Sequence, residues 1–157
     1  MRLELTRRGD YAVRAILALA ARDTVVPTNG REIATETGIP AGFVPRVMGD
    51  LVAAGLVGST TGRAGGYALA RPPAAIDLLT VIEAVEGDSR RASCVLRGGP
   101  CGRDGHCQVH DVFFAAQDAL LEQLRQVTLA DIVRDRPAGG QRSAADDSPA
   151  PLRSRKS

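Results

Sequence analysis

The chain has no tryptophan and only five other aromatic residues, two tyrosines and three phenylalanines. Its core therefore has to be aliphatic and rich in alanine. Cysteine is nearly as scarce. Three thiols cannot pair completely with one another, which excludes the disulfide framework of a small secreted domain and favours reduced thiols that bind a metal. No stretch approaches the roughly 20 apolar residues of a membrane span. The apolar residues 15–21 follow several arginines, but Asp10 and Arg14 interrupt the pattern and the helical period runs on, so the segment reads as a core helix and not a secretion signal. The expected compartment is the cytoplasm. Neither sign of charge dominates, since the formal net charge is only +2, and the total alone identifies no nucleic-acid partner. Enzyme chemistry has no carrier: no nucleophile is paired with a base, and Gly62-Arg-Ala-Gly-Gly66 lacks both the lysine and the strand-to-helix setting of a phosphate loop.

What is present fits 157 residues folded around one aliphatic core, mainly α with a small β-hairpin wing. Thr6 can cap a first helix running to Arg22, with Ala12, Ile16, Leu19 and Ala20 on one face. Asn29 followed by Glu32 resembles a capping box that opens a short second helix, closed by Gly38. In the next helix Val44, Val47, Met48 and Leu51 recur at i, i+3, i+4 and i+7 and face the core, while Phe43, Arg46 and Asp50 point outward. Pro45 holds the start of that helix to about Gly42, because an interior proline costs about 3 kcal/mol. Strands at 57–60 and 67–70, joined through a glycine-rich tip, form a wing.

Asp77 can cap a further helix closed by Gly87, followed by an aperiodic glycine-rich loop. From about Cys107 a long helix carries Val109, Phe113, Ala116, Leu120, Leu124 and Val127 at alternating spacings of three and four, a stripe suited to a second helix. A small wing domain offers that stripe little cover, so a homodimer is expected. Residues 128–133 read as a capped continuation. The expected organisation is a winged helix-turn-helix domain at 1–87, a cluster-binding loop at 88–107, a dimerisation helix at 108–133 and a disordered tail at 134–157, rich in Gly, Ser, Pro and charge.

A short helix, a turn, a second helix with polar outward residues and a wing together point to double-stranded DNA. In that arrangement Arg46 can pair with a guanine and Phe43 can touch a thymine methyl in the major groove. Arg63 at the wing tip can reach a minor groove, and Arg7 and Arg8 can hold phosphates. The bland alternative for each arginine is a solvated surface.

Cys94, Cys101 and Cys107 are separated by six and five residues, without the tight pairs of structural zinc knuckles. Soft thiolates so spaced suit an iron-sulfur cluster, with zinc or unligated redox thiols as the alternatives. The corresponding functional alternatives are a zinc-stabilised winged-helix protein and a small redox protein. His110, three residues beyond Cys107, is one candidate fourth ligand, and Asp10, reaching from the first helix of a partner subunit, is the other. Asp10 can equally serve only the dipole of its own helix.

These residues resemble the Rrf-type regulators, a winged helix-turn-helix family with IscR-like and NsrR-like members. The likeness spans roughly residues 1–133. It rests on Met1-Arg-Leu3, Gly9-Asp-Tyr-Ala-Val13, Ala54-Gly-Leu-Val57, Gly65-Gly-Tyr67, Leu78-Leu-Thr-Val-Ile-Glu-Ala-Val-Glu-Gly87 and the three cysteines. The resemblance implies a dimer crossed by the long helix, a 2Fe-2S or 4Fe-4S cluster on the cysteines, and a regulator, expected to be a repressor, that responds to iron, redox state or nitric oxide. His110 matches the ligand position of the IscR-like members and Asp10 that of the NsrR-like members. The chain departs from the family pattern at Pro45, where a polar base-contacting residue is usual, at Thr61, where the wing arginine usually lies, and in having six residues between the first two cysteines where five are usual.

Overall fold

Thr6 opens helix α1 (Arg7–Ala20) as its sequence predicts, its Oγ1 accepting the amide of Gly9 at 3.1 Å. The same device recurs along this computed structural model, which describes residues 4–22, 26–87 and 109–135. Asn29 Oδ1 accepts the amide of Glu32 at 2.9 Å and starts α2 (Gly30–Thr37). Asp77 accepts the amide of Thr80 at 2.8 Å and starts α4 (Leu78–Glu86). Each such cap stabilises its helix by about 1 kcal/mol. The expected capping box at Asn29 is only half made, because the Glu32 carboxylate turns instead to Arg22, 2.8 Å away, tying the end of α1 to α2. Gly38, at φ +70°, closes α2 in the left-handed conformation that glycine adopts without strain.

Helix α3 (Val44–Ala53) places Pro45 in its first turn, where the missing amide hydrogen would have had no partner. Val44, Val47, Met48 and Leu51 are buried as expected. They meet Ala12, Ala15, Ile16 and Leu19 of α1 in one aliphatic core that also takes in Ile33, Leu56, Ile76, Val81 and Leu129. Helix α1 runs through the middle of this core, packed against α2, α3, α4 and the last helix, α6 (Leu129–Arg134).

Strands β1 (Val57–Thr60) and β2 (Gly66–Leu69) pair antiparallel with Val57 opposite Leu69 and Thr60 opposite Gly66. The second strand thus begins one residue earlier than its side-chain pattern suggests. The reason is non-local: Thr28 and Tyr67 exchange amide-to-carbonyl hydrogen bonds of 2.8 and 2.9 Å, which draws Gly66 into the ladder. A side chain at Gly66 would overlap the backbone of Thr28 and Asn29, so only glycine lets the wing lie this close to the start of α2.

Helix α5 (His110–Gln126) stops at Val127, whose backbone is extended. The Val127 carbonyl accepts the Leu78 amide and the Leu129 amide donates to Ile76, both at 2.9 Å. Residues 128–133 therefore do not continue the long helix; α6 turns back onto α1. Its Thr128–Asp131 capping box is complete, and the two Thr128 donors hold the Asp131 carboxyl below its ordinary range.

Helix α5 packs on α4, and Leu121 is the one buried residue of the helix. Leu120 and Leu124 of the expected stripe are half-buried, whereas Val112 and Phe114 nearer the start are 71% and 42% exposed. None of the helices among the described residues is long and apolar enough to cross a membrane. The three cysteines and the tail proposed for 134–157 lie outside the described residues, apart from Arg134 and Asp135.

Candidate nucleic-acid interface

The turn between α2 and α3 is held from inside by Ile39, which is buried, and from outside by the Phe43 amide donating to Pro40 at 2.8 Å. With the inward residues of α3 committed to the core, its opposite side is left to Phe43, Pro45, Arg46 and Gly49, all exposed. Two of these, Phe43 and Arg46, were expected to face DNA. The structure brings them together with Arg7, Arg8, Tyr11 and Val47 around one shallow depression of about 220 Å³.

Within this depression the arginines are not equivalent. Arg8 is drawn onto Asp50 of α3, its Nε 2.8 Å from the carboxylate, so it braces α1 against α3. That contact competes with the phosphate role expected of it and assigns Asp50 to a structural partner. Arg7 and Arg46 have no carboxylate partner among the described residues, which leaves their full charge to the face. Phe43 is 46% exposed, yet its ring meets Tyr11 edge-on at 5.8 Å, so its orientation is set by α1. Tyr11 and Asp50 are the residues of this face that the sequence pattern did not single out as contacts. The signals for Tyr11 were its rarity, one of five aromatics in the chain, and its place in the 9–13 motif.

Arg63 sits apart, exposed in the turn between β1 and β2, where Gly62 at φ +107° and a Gly65 amide to Gly62 carbonyl bond of 3.0 Å shape the tip. It belongs to the wing, as expected, and has no ion pair among the described residues.

The two candidate fourth ligands each have a neighbour within their own chain. Asp10, in the first turn of α1, pairs with Arg14 at 2.8 Å. His110, the first residue of α5, lies flat on Phe114 with ring centres 5.6 Å apart. No group of three or more metal-binding side chains occurs among the described residues, which exclude Cys94, Cys101 and Cys107.

This geometry makes separable demands on two arginines. Arg46→Ala is expected to weaken specific DNA binding by about 1 to 3 kcal/mol and to relax one position of the site, whereas Arg7→Ala weakens binding to every sequence and lowers the salt slope. Titrations on specific and random duplexes at several salt concentrations distinguish them. Equal losses on both duplexes for Arg46→Ala would remove its base-reading role.

Comparison with known proteins places this arrangement among regulators. The model of the Rrf2 family, described as an iron-dependent transcriptional regulator, matches residues 5–135. The transcriptional regulator NsrR of Geobacillus kaustophilus is 30% identical over 85% of the chain and 92% of its own length. IscR of Escherichia coli is 31% identical over 85% of the chain and 82% of its own length. Among solved structures, CymR of B. subtilis, titled the global cysteine regulator of that organism, superposes with a TM-score of 0.73 at 26% identity, covering 85% of the chain and 98% of CymR.

Proposed function

Because the chain belongs to the Rrf2 family of DNA-binding transcriptional regulators, we propose that it is a cytoplasmic, homodimeric repressor whose operator affinity is set by an iron-sulfur cluster on Cys94, Cys101 and Cys107. The observation that carries the DNA half of this reading is the convergence of Arg7, Phe43 and Arg46 on one face. Arg46 reads bases, Phe43 supplies an apolar edge for a thymine methyl, Arg7 holds phosphate, and Arg63 reaches from the wing. Arg8 contributes to phosphate binding only where it leaves Asp50.

The cluster half rests on the chemistry of the donor set. Three soft thiolates separated by six and five residues suit iron and sulfide, and His110 or Asp10 supplies the harder fourth donor. When bound, the cluster supplies a redox- and nitric-oxide-reactive centre. His110 would have to turn from Phe114, or Asp10 from Arg14, to serve. The apolar side of α5 formed by Val112, Ala115, Ala116 and Ala119 supplies the dimer contact, and two copies then present two recognition helices to successive major grooves.

A ligand that favours neither conformation shifts neither population, so cluster control requires different DNA affinities with and without it. Cys101→Ala is expected to abolish that difference. Anaerobic protein is examined by visible spectrum and by iron and sulfide analysis, and its operator binding is compared with that of stripped protein and the variant at one fixed salt. A coloured wild type with a binding difference that Cys101→Ala lacks is the expected outcome. Identical affinity in all three would end cluster control, and a colourless zinc-bearing protein would replace it with zinc. Asp10→Ala and His110→Ala divide the fourth ligand, since the true one changes spectrum and coupling together.

A further inference from the structure

Two sequence motifs that carry the family likeness, one at residues 9–13 and one at 78–87, meet in space at a contact that DNA binding does not explain. Glu86, the last residue of α4, reaches across to the residue that caps α1. Its Oε1 accepts from both the amide and the hydroxyl of Thr6, each at 2.8 Å. The Thr6 hydroxyl gives its single proton to Glu86 and accepts the Gly9 amide at 3.1 Å. One hydroxyl thus joins the end of α4 to the first turn of α1. Gly9 is the counterpart in shape: it is buried, and a side chain there would run into the Glu86 carboxylate.

The placement gives this clasp its meaning. Arg7 and Arg8 are the two residues between Thr6 and Gly9, and with Tyr11 they form the α1 side of the DNA-facing depression. On the other side, Glu86 is followed by Gly87 and then by the stretch of sequence that carries the three cysteines. The aliphatic contact of α1 with α4 through Val81 and Val85 holds the two helices together without it. What the carboxylate adds is direction at the exposed end, where a bond to a charged acceptor is stronger than a neutral one.

We propose that Glu86 is a positioning residue that carries the state of the cysteine segment to the DNA face, by holding or releasing the Thr6 turn and with it Arg7 and Tyr11. This rests on the reading above that the cysteines control operator affinity. Two arrangements are available to the turn: Thr6 bound to Glu86, or Thr6 capping Gly9 alone with its hydroxyl proton given to water. A pull on the end of α4 selects between them, and coupling of this kind alters affinity roughly 2- to 30-fold.

The test uses the full chain as wild type, Glu86→Ala, Glu86→Gln and Gly9→Ala, each loaded anaerobically with iron and sulfide and each stripped. Operator affinity gives a loaded-to-stripped ratio for each protein, and amide hydrogen exchange at Thr6, whose amide loses its acceptor when Glu86 lets go, reports the clasp independently of DNA. The expected result is a wild-type ratio far from one that falls toward one in Glu86→Ala, with faster exchange at the Thr6 amide. Glu86→Gln, whose amide oxygen accepts from the same two donors, keeps most of the wild-type ratio. Gly9→Ala, which displaces the carboxylate from the other side, behaves as Glu86→Ala does and serves if that variant does not fold. A responsive wild type with an unchanged ratio and unchanged exchange in the variants overturns the proposal. A wild-type ratio of one overturns the control of DNA by the cysteines itself and the proposal with it, a result distinguishable because the failure then lies in the unmutated protein.

Discussion

Val112→Glu is expected to behave in solution with the mass of a single chain and to bind its operator roughly 100- to 10,000-fold more weakly than wild type, because the two recognition helices no longer act as one ligand. The argument starts from how little of α5 is covered. Of its residues only Leu121 is buried, and Leu120 and Leu124 are half-covered. Ala115, Ala116 and Ala119 are exposed on the same side of the helix as Val112, at i+3, i+4 and i+7 from it. An apolar helical surface of this kind is a seam for a second helix, and a carboxylate buried in such a seam without a partner is costly. Val112 suits the test because it is 71% exposed in its own chain, whereas Leu120 is half-buried there and Phe114 stacks on His110. Sedimentation equilibrium across a range of concentrations reads the mass. An unchanged dimer would place the seam elsewhere.

Leu51→Ala carries the second large effect, an expected loss of about 2 to 5 kcal/mol in folding stability. Leu51 is fully buried on the inward side of α3, among residues of α1 and the base of the wing. Domains of this size are stable by only about 5 to 15 kcal/mol, so the substitution removes a large share of the total. Urea titration followed by circular dichroism should show the midpoint falling, while Arg46→Ala, on the opposite side of the same helix, leaves it in place. A midpoint for Leu51→Ala equal to wild type would mean that the core closes around the gap or is not built as described.

What could be read from the sequence follows how far apart the interacting residues lie along the chain. The caps at Thr6, Asn29 and Asp77 and the closing glycine at Gly38 act within four residues of themselves, and each appears where its local pattern put it. The inward face of α3 was equally plain, since its spacing is that of one helix. The boundary of β2 was not, because Thr28 decides it from 39 positions away. Arg8 presented itself as a phosphate contact until Asp50, 42 residues on, supplied its partner. The stripe along α5 leaves out Leu121, the residue that the helix buries within its own chain. The break at Val127 has the same origin, in bonds to Ile76 and Leu78 that no local propensity foretells. The clasp between Glu86 and Thr6 spans 80 positions and left no local trace beyond two motifs. The candidate cluster residues remain as the sequence presents them, a set of donors defined by type and spacing.

The close seating of Gly66 on Thr28 has a consequence for how this protein can change its target. Because the base of the hairpin is bonded to the residue just before α2, the wing and the helix-turn-helix form one caliper of fixed opening. The distance between α3 and the base of the hairpin is therefore a property of the backbone. Descendants with new operators are free to alter the letters read at either jaw, and the tip from Thr61 to Ala64, exposed throughout, can lengthen or shrink without cost to the core. They are not free to move the jaws apart.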